Sequence, residues 1–364
     1  MIADVVVVGA GPAGAIAARE LARRGAKVLL ADKATFPRWK VCGCCLNGNA
    51  LAALASVGLG ELPAKLGAVP LAQVRLGVGR RSARIAIPGG VSLSREAFDA
   101  ALIDEAIAAG ATFRPETTVR VGEAGMSDIA LTLNGTPATA RVVVAADGLT
   151  SPLTASTPSR HARIGAGCVL RHPSGDYEAG TIFMAAGRGG YVGLVRLEDH
   201  RLDVAAAFDV EFVREAGSLA EAGRIVVQST GWPVPNFAAA HWKGTPVLTR
   251  RPANVAGPRW FAIGDAAGYV EPFTGEGMAW AMASAAAVVP FAEQAWSPEL
   301  AGQWARHHRK IVGGRQRTCR IVAAGLRSHL ARSLAVRALA LVPSFAGPLL
   351  RGLNRPPRLR GLPR

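Results

Sequence analysis

The stretch Val5-Val6-Val7-Val8-Gly9-Ala10-Gly11-Pro12-Ala13-Gly14 decides how the N-terminal part of the chain folds. Four consecutive valines read as a buried strand, and the Ala-rich residues 15–24 read as a helix. A strand that turns sharply into a helix leaves the first N–H groups of the helix unpaired. With the helix dipole, these groups favour an anionic pyrophosphate. Gly9 permits the turn, Gly11 lets a phosphate approach, and Gly14 lets helix and strand pack closely, with Pro12 and Ala13 completing the loop. A second apolar strand over 27–31 ends in Asp32, 18 positions after Gly14, followed by Lys33. An acid there takes ribose hydroxyls and repels a 2′-phosphate. The pattern predicts a dinucleotide site.

The chain has 364 residues, half of them hydrophobic and 6% aromatic, enough for about two or three structural units. It contains no run of 18 uninterrupted apolar residues, and Asp4 interrupts the N-terminus, so a cytoplasmic protein without a membrane span is expected. The formal charge of +16 is concentrated at one end: residues 305–364 hold 14 Arg or Lys and no Asp or Glu, leaving 1–304 at +2. This distribution argues against a nucleic-acid-binding body. Two readings of the basic end stay open, peripheral contact with a membrane surface and a solvated helical cap. Leu339, Val342, Leu349 and Leu350 favour the first, whereas Arg337 falls on the same helical face as Leu330 and Leu334. Five cysteines, three of them in Cys42-Gly43-Cys44-Cys45, do not resemble a secreted disulfide framework.

A loop over 33–43 precedes a short helix over 46–57. Residues 72–87 read as strands with Arg75, Arg80, Arg81 and Arg84 outward. Ser94 is the N-cap of a helix over 95–109, ended by Gly110. A meander over 112–133 and a turn at Asn134-Gly135 lead into a buried parallel strand over 140–146, which delivers Asp147-Gly148. Short β-type runs fill 163–211, a helix covers 219–228, and a strand over 260–263 ends in Gly264-Asp265. A long helix starts at Gly277, and a basic helical region follows until Asn354-Arg355-Pro356-Pro357. The expected fold class is α/β. A Rossmann-like cofactor domain (1–70, 90–160, 250–300) is interleaved with a β-rich substrate domain (71–89, 161–249) and followed by C-terminal helices (301–364).

Three strand-end motifs carry a resemblance: Gly9 to Gly14, Ala146-Asp147-Gly148, and Gly264-Asp265-Ala266-Ala267-Gly268 followed by Pro272-Phe273-Thr274-Gly275-Glu276-Gly277. Together they resemble the FAD-dependent oxidoreductases of the geranylgeranyl reductase and aromatic hydroxylase superfamily, which includes the flavin-dependent halogenases. The resemblance spans most of residues 1–300 and implies FAD as cofactor. Asp265, next to Gly264, would accept hydrogen bonds from ribityl hydroxyls. The turn of Pro272, Gly275, Glu276 and Gly277, leading to Met278, would set N–H groups and the positive end of a helix beside the flavin N1 and C2 oxygen. That end stabilises an anionic reduced flavin. Arg95 matches an arginine placed on the FAD phosphate or ribityl region. Asp147 and Gly148 match the DG motif, but Leu149-Thr150-Ser151 follow where the superfamily often has an arginine. No second dinucleotide fingerprint is present. NAD(P)H would therefore bind transiently over the flavin, or another protein would supply the electrons.

The segment Pro37-Arg38-Trp39-Lys40-Val41-Cys42-Gly43 resembles the P-x-x-K-x-C-G loop of geranylgeranyl reductase-like flavoproteins, which crosses near the isoalloxazine. Lys40 and Arg38 are cations suited to lowering the pKa of Cys42. Three uses of the thiols stay open: pocket lining, a functional Cys42 beside the flavin, and a Cys42–Cys45 disulfide or covalent flavin link. Zinc lacks further ligands at a suitable spacing, since His307-His308 is remote. Tyr191, Trp232, His241 and Trp242 are candidates for the substrate pocket. The resemblance implies either reduction of a carbon–carbon double bond in a lipid-like or isoprenoid substrate, or hydroxylation of a phenolic or lipidic aromatic. Halogenation is disfavoured by the absence of Trp-x-Trp-x-Ile-Pro, and a flavin-binding electron carrier is the non-enzymatic reading.

Overall fold

A computed structural model of the protein describes residues 2–171, 176–271, 273 and 275–347. Its first layer is a parallel sheet in the order Trp260–Ala262, Thr136–Ala145, Ala3–Val8, Val28–Ala31, Thr112–Arg114. Val5, Val6 and Val7 are fully buried, as a central strand covered on both faces requires. Helix Pro12–Arg23 packs between helices Arg95–Ala108 and Gly277–Glu293, and its buried Ala15, Ala17 and Ala18 allow the close approach. Thr112–Arg114 is not the start of a meander. It is the edge of the parallel sheet, because the helix before it carries the chain back alongside Val28–Ala31. Asn134 and Gly135, both at positive φ, turn the hairpin between Ile129–Leu133 and Thr136–Ala145.

A second, seven-stranded sheet runs Lys243–Val247, Ile164–Leu170, Leu202–Phe208, Gly190–Arg196, Thr181–Gly187, Gln73–Val78, Arg81–Ala86. Within it only the pairing of Gln73–Val78 with Thr181–Gly187 is parallel. Its register aligns Gly167, Ala205, Gly193 and Met184 in one row, and Val169, Asp203 and Val195 in another. One face packs Phe183, Val192, Val204 and Phe208 under helix Leu219–Gln228 and Trp232. The other packs Met184, Ala186, Tyr191 and Ala207 with Tyr269, Phe273 and Val336. Arg75 does not point outward with its neighbours. It is half-buried beside the rings of Trp232 and Phe183, at 5.4 and 5.9 Å.

A small sheet of Cys45–Asn47, Gly90–Ser92 and Val69–Pro70 joins the two layers. Ser92 Oγ donates to the Arg196 carbonyl at 2.6 Å, and the Ser94 amide donates to Glu198 at 2.9 Å. The short helix therefore starts later than its hydrophobic pattern suggests, at Gly48–Ser56, because residues 45–47 are used as a strand and Asn47 caps the Ala50 amide. Two long helices, Pro298–Arg327 and His329–Leu341, and a 3-10 turn, Pro343–Ala346, close the described chain. Pro272 and residues 348–364, including Leu349, Leu350 and the segment 354–357, lie outside the described residues.

Candidate active site

The loop after the first strand has the geometry its sequence demands. Gly9 sits at φ +101°, and a Cβ there would lie 2.4 Å from the Ala146 carbonyl oxygen. A Cβ on Gly14 would lie 1.8 Å from the Gly9 carbonyl oxygen, so any side chain there would force helix and strand apart. Gly11 is different. A Cβ on it would meet only Arg95 Nη2, at 3.7 Å. Gly11 is also the N-cap and offers no side chain to the first amides of the helix. Open space, uncapped amides and a guanidinium thus meet above Pro12 and Ala13. Arg95 is held there by Asp99, to which it donates two hydrogen bonds of 2.8 and 2.7 Å. Asp32, at the neighbouring strand end, accepts from the Ala10 and Ala34 amides at 2.8 and 2.9 Å, with Arg38 at 3.5 Å and Lys33 exposed beside it.

The other two motifs converge on the same edge of the sheet. Asp147 Oδ1 is buried without a hydrogen-bond partner, and burial raises the pKa of that carboxyl. Gly148, at φ +87°, faces Lys40, whose Nζ would stand 3.9 Å from a Cβ at that glycine. Burial and then Arg95 depress the Lys40 pKa. Burial raises the pKa of Asp265, opposed by the charges of Lys40 and Arg95. Gly264, at φ +57°, brings its strand end against Ala13, whose Cβ would be 3.0 Å from a glycine Cβ. Gly275, at φ +72°, leads through Glu276 into the helix that begins at Gly277 and Met278. Glu276 is fully buried and points into the protein rather than to the cleft. It accepts from Asn47, Asn49 and the Trp280 indole at 2.7, 3.4 and 3.1 Å. The uncapped helix start, Arg95 and the orphaned Asp147 oxygen together fit a dinucleotide with a pyrophosphate and ribose hydroxyls. Gly9, Gly11, Gly14, Asp32, Asp147 and Asp265 would hold it.

The cysteine loop crosses from this edge to the second sheet. A Cβ on Gly167 would lie 3.3 Å from Val41 and 3.7 Å from Trp39, so the loop rests on the row of small residues. The Cys44 thiol donates towards Cys42 and, with the Arg95 charge, brings the Cys42 pKa down to about 5. Cys44 carries the opposite perturbation: its hydrogen bond to Cys42 and its burial push its pKa well up. The cations that depress Cys42 thus differ from those expected. Arg95 acts on it, whereas Arg38 pairs with Asp32 and Lys40 stands at Gly148. Burial and the nearby Asp203 carboxyl raise the pKa of Cys45. All five cysteines are free thiols.

Asp203 is the residue that sequence reasoning missed. It is 1% exposed, and neither carboxylate oxygen meets an aligned hydrogen-bond donor. Burial and then the charge of Cys42 drive its pKa well above the usual carboxylate range. Its only signal in the sequence is a lone acid in the apolar run Leu202–Phe208. Of the pocket candidates, Tyr191 stands on the same sheet face, edge-on to Phe273 at 5.0 Å. Trp232 and Trp242 belong to the opposite face, and His241 is exposed.

Comparison with known proteins agrees with this geometry. The similarity to menaquinone reductase of Mycobacterium tuberculosis is 59% identity over 59 residues, covering 16% of this chain and only 14% of that protein. Conditioned medium factor receptor 1 of Dictyostelium discoideum is 25% identical over 317 residues, covering 77% of this chain and 61% of the receptor. Among solved structures, the flavin-dependent brominase Bmp2 superposes with a TM-score of 0.77 at 16% identity, covering 97% of this chain and 93% of the brominase. The halogenase PltM, in a mutant form complexed with FAD, superposes with a TM-score of 0.74 at 15% identity, covering 97% and 83%. These structures share the fold. The FAD binding domain family matches residues 2–290, and the chain belongs to that family.

Proposed function

We propose that the protein reduces a carbon–carbon double bond in a lipophilic, isoprenoid-type small molecule. One observation carries this reading: an enclosed proton-holding cluster, Asp203 with Cys44 and Cys42, on the sheet face opposite the cofactor loop. Saturating a double bond adds a hydride to one carbon and a proton to the other. Reduced FAD, when bound, supplies the hydride. The surroundings of Asp203 and Cys44 favour their protonated forms, so the proton comes from this pair. The charge of Cys42, whose pKa is brought down to about 5, favours those protonated forms, and solvent returns the proton that the pair gives up. Gly167, Gly193 and Ala205 let the cysteine loop approach this sheet face closely. The local similarity to proteins named menaquinone reductase supports the substrate class, since menaquinone is a lipophilic quinone with an isoprenoid chain. NAD(P)H or a partner protein supplies the electrons.

The test is anaerobic turnover of the FAD-loaded protein with an isoprenoid quinone or polyprenyl substrate, read by mass spectrometry. The expected product has gained two hydrogens that remain after air has reoxidised any quinol to the quinone. A product that has gained one oxygen in air, with no anaerobic turnover, would identify a hydroxylase instead. Asp203→Asn should retain FAD and slow turnover on the order of 10²-fold, the usual size of a lost general acid.

A further inference from the structure

Helix His329–Leu341 carries apolar side chains on two opposite sides, and only one side is packed. Val336 and Leu339 join the cluster of Leu76, Ala83 and Ile85 on the Gln73–Ala86 hairpin. Leu330, Leu334, Arg337 and Leu341 follow the spacing i, i+4, i+7, i+11, within about 60° of one another around the helix, and lie on the other side. The three leucines are 74%, 62% and 83% exposed, and Phe345 beyond the helix end is 66% exposed. Six of the eight exposed large hydrophobics among the described residues fall within 321–345. The turn of the neighbouring hairpin contributes Arg80 and Arg81. With Arg337, His329, Leu330 and Leu334 they line a cavity of about 300 Å³.

We propose that this helix face and the Arg80-Arg81 turn form a docking surface for an anionic phospholipid bilayer. The leucine stripe supplies what the acyl region takes up, and Arg337 within it carries an aliphatic stem that reaches back to the headgroup layer. The arginine-lined cavity beside the stripe is positioned for a lipid phosphate. Charge complementarity selects the partner: no acid follows Glu299 in the sequence, and none among the described residues lines the cavity. A folded acidic protein or an RNA would match the charge, but neither needs a protruding row of leucines. No helix of the described residues is long and apolar enough to cross a membrane, so contact is with the surface. The packed side of the same helix shares a cluster with Tyr191 and Phe273 beside the cofactor loop, so the bilayer would stand one helix away from the site.

The experiment is co-sedimentation of the full-length FAD-loaded protein with vesicles of phosphatidylglycerol and phosphatidylcholine, and with pure phosphatidylcholine. Binding to the anionic vesicles is expected to be at least about tenfold stronger and to weaken with salt. The pair Leu330→Ser and Leu334→Ser removes no charge, and it should lower binding about tenfold while flavin content and circular dichroism stay unchanged. Arg80→Ala with Arg81→Ala should lower binding and flatten its salt dependence. Unchanged binding by the leucine pair overturns the proposal, because it assigns attachment to charge elsewhere. RNA binding without vesicle binding overturns it as well.

Discussion

Glu276 and Asn47 are joined by a 2.7 Å hydrogen bond that ties the turn before the Gly277–Glu293 helix to the strand that follows the cysteines, 229 positions away in the chain. The carboxylate also accepts from the Trp280 indole, and its burial raises its pKa. Glu276 therefore fixes how far the cysteine loop stands from the helix start. Glu276→Ala would leave buried donors unpaired, at a cost of about 1–3 kcal/mol. We expect a lower thermal midpoint and weaker FAD binding together, with Glu276→Gln milder because it keeps an acceptor. Calorimetry and flavin titration on the same samples check this.

Two glycines of the phosphate loop should fail in different ways. At Gly14 a methyl group would sit 1.8 Å from a backbone carbonyl, so Gly14→Ala should prevent native packing of the first helix and yield little folded protein. At Gly11 a methyl group has room and meets only the end of a flexible arginine, at 3.7 Å. Gly11→Ala should fold with its thermal stability nearly unchanged in the absence of FAD, yet bind FAD at least about tenfold more weakly, because the methyl group stands where phosphate must approach. Equal FAD affinity for Gly11→Ala and wild type would remove that role.

The elements that were legible in the sequence are those whose cause is local. The glycine loop, the Ser94 cap and helix Leu219–Gln228 are dictated by neighbours within one turn, and each forms where its pattern lies. The role of Asp265 was an expectation from the resemblance of its motif, and the structure places the residue buried within reach of the charges of Lys40 and Arg95. Asp203 was not legible, since an acid in a strand reads as a solvent-facing residue. Only the meeting of the second sheet with the cysteine loop buries it. Arg75 was misread for the same reason: its partners, Phe183 and Trp232, come from distant parts of the chain. The Cys42 pKa is likewise depressed by the Cys44 hydrogen bond and then by Arg95 across the site, not by Lys40 beside it.

That last relationship predicts a titration. With its pKa near 5, Cys42 is a thiolate at pH 6, where an ordinary thiol is protonated. Iodoacetamide should alkylate it at pH 6, with a rate that falls as pH drops through about 5. Cys44→Ala removes the hydrogen bond that most strongly favours the thiolate, so the midpoint should move up and the rate at pH 6 should fall. Peptide mapping of the modified thiol distinguishes Cys42 from Cys45, which burial keeps protonated. An unchanged midpoint in Cys44→Ala would leave Arg95 as the cause.

His308 sets a stability term far from the cofactor. It is buried against Trp304, with ring centroids 5.5 Å apart, and burial followed by the charge of His307 brings its pKa down to about 4. The folded state therefore resists a proton that the unfolded state accepts near the ordinary histidine value of 6.5. Between these two values the unfolded chain binds more protons, so stability rises with pH and is lost on acidification from about 6.5 towards 4. Over that window the group contributes about 3 kcal/mol, at 1.36 kcal/mol per pKa unit. Buried carboxyls with raised pKa values, Asp203 and Asp265 among them, act in the opposite direction, so the comparison must be between variants. Urea denaturation at pH 7 and pH 4.5 should show wild type losing about 2–3 kcal/mol more than His308→Gln, which has no proton to refuse. Parallel losses in the two proteins would mean that His308 is not the group that acid attacks.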